Sequence, residues 1–142
     1  MLTDQQDQET YAIIGAAMRV HRAFGAGFLE AVYHEAMCLA LDSAAIPWQS
    51  EVTFRLQFEG HTLRTRYRAD LVCYGRVLVE LKALRAVGGT ETAQVLNYLR
   101  ASGLRRALLL NFGATRLQYR RLISTESTDD TDESTDVADH CR

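Results

Sequence analysis

The hydrophobic period of this chain changes from helical to alternating after Pro47, and that change limits what it can fold into more than any other feature. From residue 51, Val52, Phe54, Leu56 and Phe58 alternate with Glu51, Thr53, Arg55 and Gln57. Alternation of this kind marks a strand with one buried face. Glu59-Gly60 then reads as a two-residue hairpin turn. That turn pairs Phe58 with His61, Leu56 with Leu63 and Val52 with Tyr67. In this register every apolar residue falls on one face, which a one-residue slip would undo.

The next turn, near Tyr74-Gly75-Arg76, is chosen by the same test. A two-residue loop sets Ala69 against Glu80 and mixes the faces. A three-residue loop pairs Cys73 with Val77, Leu71 with Val79 and Ala69 with Leu81, keeping one apolar face. It also sets Asp70 directly opposite Glu80, with Lys82 two residues further along the same face.

Before Pro47 the period is helical. Ile13, Ile14, Ala17, Met18 and Phe24 mark a helix from about Gln5 to Phe24, and Gly25 and Gly27 break it. A second helix is expected from about Phe28 to Ala44, with Leu29, Val32, Tyr33, Ala36, Met37 and Ala40 as its stripe. After Val87-Gly88-Gly89, Thr90 can cap a third helix, whose core positions are Val95, Leu96 and Leu99 and which Gly103 ends. Arg106–Asn111 reads as a buried strand and Thr115–Ile123 as a half-exposed one. The expected order is α-α-β-β-β-α-β-β, an α/β chain of the α+β type with a mixed β-sheet flanked by helices.

Composition narrows the class. At 142 residues and 47% hydrophobic content the chain suits one domain. No apolar run is long enough to span a bilayer, and MLTDQQDQET is too polar for a secretory signal, so a cytoplasmic location is expected. The three cysteines (Cys38, Cys73, Cys141) form no CxxC pair and are read as reduced thiols. Seven of the 18 acids and one of the 16 bases lie in residues 124–142, expected to be a disordered acidic tail. Residues 1–123 keep 15 bases against 11 acids, a mild basicity that permits contact with a polyanion.

The residues that carry chemistry are Asp70, Glu80 and Lys82. Two opposed carboxylates can share a hard divalent cation, magnesium or manganese, and an adjacent ammonium can assist an attacking water or stabilise charge on phosphate. A surface Glu–Lys pair explains the same spacing as well. Arg64, Arg66 and Arg68 share a face with Asp70, with Arg55 beside them; they can contact phosphates or form a solvated face in which Glu51 pairs with Arg68. No aromatic residue interleaves with them. His21 reads as a packed, hydrogen-bonded histidine, and His34, His61 and His140 show no metal spacing.

Three further features carry a resemblance. Gly27-Phe28-Leu29-Glu30-Ala31-Val32-Tyr33 matches a GxxExxY signature. Arg68-Ala69-Asp70 and Val79-Glu80-Leu81-Lys82 resemble an acidic residue followed by a (D/E)xK element. Gln94-Val95-Leu96-Asn97-Tyr98 is similar to a QxxxY element. In this order, over roughly Tyr11 to Ile123, the chain resembles the GxxExxY family of the PD-(D/E)XK nuclease superfamily. Leu109-Leu110-Asn111-Phe112-Gly113 resembles a further strand of that family, while Ala26 stands where relatives often have proline.

The resemblance implies a restriction-endonuclease-like core and magnesium-dependent phosphodiester hydrolysis of DNA or RNA. It implies Asp70, Glu80 and the Leu81 carbonyl as metal ligands, with Glu30 as a third carboxylate. Lys82 and Gln94 are the implied catalytic partners, and Tyr98 and Tyr33 the supporting residues. Glu30 also has a purely local role, since a carboxylate in a first helical turn favours the helix dipole. The alternatives are an inactive nuclease-fold module that binds nucleic acid and a protein-interaction subunit. Small domains of this kind often act as homodimers or with a protein partner. No nucleophile elbow is present, which disfavours a serine hydrolase.

Overall fold

The computed structural model describes residues 4–124, with side chains from Gln8 onward. The elements follow the expected order: α1 (Asp4–Phe24), α2 (Glu30–Ser43), β1 (Trp48–Phe58), β2 (His61–Cys73), β3 (Val77–Lys82), α3 (Gly89–Ser102), β4 (Arg106–Asn111) and β5 (Gln118–Ile123). The five strands form one sheet in the order β1-β2-β3-β4-β5. Only β3 and β4 run parallel, because α3 is the crossover between them. The expected acidic tail, from residue 125 onward, lies outside the described residues. Among the described residues no helix is long and apolar enough to cross a membrane.

The centre of the sheet, β3 and β4, is buried on both faces. Along β4, Leu108 and Leu110 pack with Ile13, Tyr33 and Met37 of the two N-terminal helices. Ala107 and Leu109, pointing the other way, pack with Val95 and Leu99 of α3. All six residues of β4 are buried, as befits a strand with helices on both sides.

Several local expectations change. Met18 and Phe24 are each 40% exposed and Leu29 is 78% exposed, so the apolar stripes of α1 and α2 are narrower than their sequence suggests. Leu96 also faces outward, at 38%. The third helix is capped by Gly88, not Thr90: the Glu91 carboxylate accepts the Gly88 N–H at 2.7 Å, a local bond that outcompetes a threonine cap.

The hairpin registers explain most of the site. Phe58 pairs with His61 as the turn requires, but an irregularity between Arg55 and Gln57 shifts the ladder. Beyond it Phe54 meets Tyr67 and Val52 meets Ala69, two residues away from the expected pairs. A slip of two keeps every side chain on its own face, so alternation alone could not detect it. The three-residue loop is as expected, with Cys73 opposite Val77 and Leu71 opposite Val79.

Candidate active site

Regular pairing between β2 and β3 ends at Leu71 and Val79, one step before Asp70 and Glu80. From there side chains replace the ladder. The Asp70 N–H donates to Glu80 Oε2 at 3.0 Å, and the Leu81 N–H donates to Asp70 Oδ2 at 2.8 Å. Each carboxylate is thus anchored through one oxygen. Among the described residues, Asp70 Oδ1 and Glu80 Oε1 receive no hydrogen bond.

Glu80 is 5% exposed, so the pair is set into the fold and not scattered on its surface. Burial, and then the charge of Asp70, push the Glu80 carboxyl up to about 8. Glu30, in the first turn of α2, is raised as well, first by partial burial and then by Asp70; Lys82 and His34 oppose the shift. The three acids therefore interact, across two strands and one helix. Glu30, Ala31, His34, Glu51, Asp70 and Leu81 line one open pocket, and Glu80 is tied to it through the Asp70 backbone.

Lys82 ends β3, and its Nζ donates to Gln94 Oε1 on α3 at 3.2 Å. This bond joins two residues that the (D/E)xK and QxxxY resemblances assign to one site. Tyr98, one turn after Gln94, stacks on Tyr67 with ring centroids 4.2 Å apart. The Tyr67 hydroxyl donates to the Tyr98 carbonyl at 3.0 Å. Burial, then Glu80, then Asp70 raise the Tyr98 hydroxyl pKa, which places it within the field of the carboxylates.

Tyr33 is fully buried. Its hydroxyl donates to the Gly25 carbonyl and accepts the Phe28 N–H, and its ring stacks on Phe112 at 4.8 Å. It ties down the glycine loop that precedes Glu30. His21 is packed as expected, its Nε2 3.0 Å from the Ala114 carbonyl. Arg55, Arg64, Arg66 and Arg68 are exposed. Arg68 pairs with Glu51 at 3.5 Å even though its register partner is Thr53.

His34 was missed by spacing arguments because its partners come from other elements. Its Nε2 lies 3.2 Å from the Asp70 carbonyl and 3.1 Å from Ser50 Oγ. The signal available in sequence was its place one helical turn after Glu30. Glu51 was noted only as a partner of Arg68, and it lines the pocket because its backbone turns out of the strand, with φ of 53°.

The donor chemistry suits a hard cation: carboxylates with uncommitted oxygens, one of them buried and raised by like charge. Among the described residues no three metal-ligating side chains converge closely enough to enclose an ion unaided. Cys73 is no competing nucleophile, since burial pushes its thiol up to about 12.

A mixed sheet between helices, with an acid pair where two strands part and a lysine two residues beyond, defines a restriction-endonuclease-like protein of the PD-(D/E)XK type. The family model of the PD-(D/E)XK nuclease superfamily matches residues 7–122, and the chain belongs to that superfamily. The crystal structure of SSO0001 is similar at 14% identity and a TM-score of 0.54, covering 78% of this chain and 57% of its own. That likeness concerns the fold alone, and this chain spans a little over half the length of that neighbour. No curated protein matches the sequence. PD-(D/E)XK nucleases generally use divalent metals.

Proposed function

We propose that residues 1–123 form a magnesium- or manganese-dependent nuclease domain of the GxxExxY kind, acting on nucleic acid in the cytoplasm. The observation that carries this reading is the anchored Asp70–Glu80 pair with Lys82 held beside it by Gln94. Asp70, Glu80 and the Leu81 carbonyl would hold the cation, with Glu30 as a further carboxylate at the pocket rim. When bound, such a cation supplies Lewis acidity toward the phosphate and lowers the pKa of water. Lys82 keeps an ammonium next to the reacting phosphate, where it offsets developing charge. Gln94 fixes that ammonium through its side-chain oxygen. Tyr98 and Tyr67 form a stacked wall beneath it, and Tyr33 holds the loop that starts the Glu30 helix. Arg64, Arg66 and Arg68 lie on the strand leading to Asp70 and would contact the phosphate backbone.

A second reading has one observation in its favour. No set of three metal-ligating side chains closes among the described residues, which suits a nuclease-fold module that binds nucleic acid, or a protein partner, without cutting.

The test is calorimetry with magnesium and manganese on wild type, Asp70→Ala and Glu80→Ala, followed by cleavage of mixed DNA and RNA. Binding lost in both variants is the expected result. Cleavage should fall roughly 10²–10³-fold in Lys82→Ala, the usual worth of one preorganised donor at developing charge. Absence of metal binding at millimolar concentration, with no cleavage, overturns the catalytic reading and leaves the binding module.

A further inference from the structure

We infer that His34 is a positioning residue of the carboxylate site, taking the place of a strand partner that Asp70 lacks. This inference rests on the proposed nuclease reading and deepens it. The β1–β2 ladder pairs Ser50 with Leu71 and Val52 with Ala69, but passes over Glu51 and Asp70. The cause is the left-handed backbone at Glu51, which turns that residue out of the ladder. On the other side, the β2–β3 ladder has already ended at Leu71.

Asp70 therefore sits in an inner strand with no ladder partner. A backbone N–H and carbonyl in such a place need other partners. The Glu80 carboxylate takes the N–H and the His34 imidazole takes the carbonyl. A carbonyl only accepts, so His34 Nε2 carries the proton, and the Ser50 hydroxyl oxygen lies close enough to share it.

The imidazole thus links three elements at one point: α2 through its own backbone, β2 through Asp70 and β1 through Ser50. His34 follows Glu30 by one helical turn, so both stand on the same side of α2 and line the same pocket. Holding Asp70 to His34 therefore also sets its distance from Glu30. With N–H, carbonyl and Oδ2 all engaged, Asp70 presents a fixed Oδ1. A group that orients a ligand in this way typically carries 10–100-fold of metal affinity, by order of magnitude (~).

The experiment compares manganese binding by calorimetry in the full chain for wild type, His34→Phe and His34→Gln. Phenylalanine keeps the ring volume and removes the donor; glutamine keeps a donor and changes the packing. We expect affinity to fall about 10–100-fold in His34→Phe and to stay near wild type in His34→Gln. A merely packing role predicts the reverse order, and that result, or unchanged binding in His34→Phe, overturns the inference. Ser50→Ala, which keeps the Asp70 bond, should bind like wild type; a loss equal to that of His34→Phe would also overturn it. If wild type binds no manganese, the nuclease reading falls and takes this inference with it; wild-type binding beside an undisturbed His34→Phe sinks the inference alone.

Discussion

Glu80 reaches across to the backbone of Asp70, and Asp70 returns the bond to the residue after Glu80. Two acids that repel through their charges are thus locked together through their backbones. Held this way they cannot relax apart, which is why burial and mutual charge fall so heavily on Glu80.

That arrangement fixes a pH dependence. The Glu80 carboxyl is raised from its ordinary 4.5 to about 8 in the folded protein. A raised folded pKa gives stability that is full below the unfolded value and lost as pH rises through the folded one. Without metal, the melting temperature should therefore decline between pH 4.5 and about 8. Glu80→Gln should flatten this decline and stabilise the metal-free protein at neutral pH while abolishing metal binding. Thermal melts in chelator across that range check it, and a melting temperature rising with pH in wild type alone would contradict it.

The arginine ribbon makes a separate prediction. Arg55 and Arg66 are direct cross-strand partners and both are exposed. Like charges opposed on a ribbon destabilise it by roughly 0.2–1 kcal/mol. Arg66→Ala should stabilise the fold by about that amount. The same change should weaken binding to nucleic acid and reduce its salt slope by about one. Urea melts and anisotropy titrations in chelator at several salt concentrations give both numbers. Unchanged affinity would leave this face as a solvated surface.

Gly113 should tolerate no side chain. A Cβ there would stand 2.4 Å from both the backbone nitrogen and the carbonyl oxygen of Leu84. Buried Asn111 pins that same backbone, accepting the Leu84 N–H at 2.8 Å and donating to its carbonyl at 2.9 Å. The neighbour cannot move aside, so Gly113→Ala should cost about 1–3 kcal/mol, read from denaturant unfolding.

Glu9 is 6% exposed and faces two guanidiniums. Its carboxylate accepts from Arg106 at 2.6 Å and from Arg76 Nε at 3.2 Å. The hydrogen bond from Arg76, opposed by burial and helped by Arg106, holds its carboxyl below the usual range. A depressed folded pKa gives stability that is present above the unfolded value and lost as pH falls through the folded one. Glu9→Ala should cost about 3–5 kcal/mol, because it breaks a buried ion pair with Arg106 by removing its carboxylate. It should also remove part of the acid sensitivity, which unfolding measured at neutral and acidic pH would reveal.

Much of this was legible in the chain. The three-residue turn at Tyr74–Arg76 followed from keeping Cys73, Leu71, Val77 and Val79 on one face, and it brought Asp70 to Glu80. Gln94 belongs to the site by its resemblance to a QxxxY element and by a helix face offset from Val95 and Leu99, and its bond to Lys82 fits both. The slip beyond Arg55 was hidden because a shift of two preserves the pattern. His34 was hidden because its bonds answer a gap at Glu51, and a left-handed backbone at a glutamate has no signature in alternation. Leu29 and Leu96 misled because helical periodicity marks a stripe without saying how wide the neighbouring surface is.

Residues 106–111 are the strand on which both helical layers close, and they come late in the chain. Glu9 finds Arg106 across 97 positions of sequence. A growing polypeptide can therefore complete neither helical layer until that strand emerges. The bond that secures α1 to β4 is thus available only after α2, the first three strands and α3 have all been made.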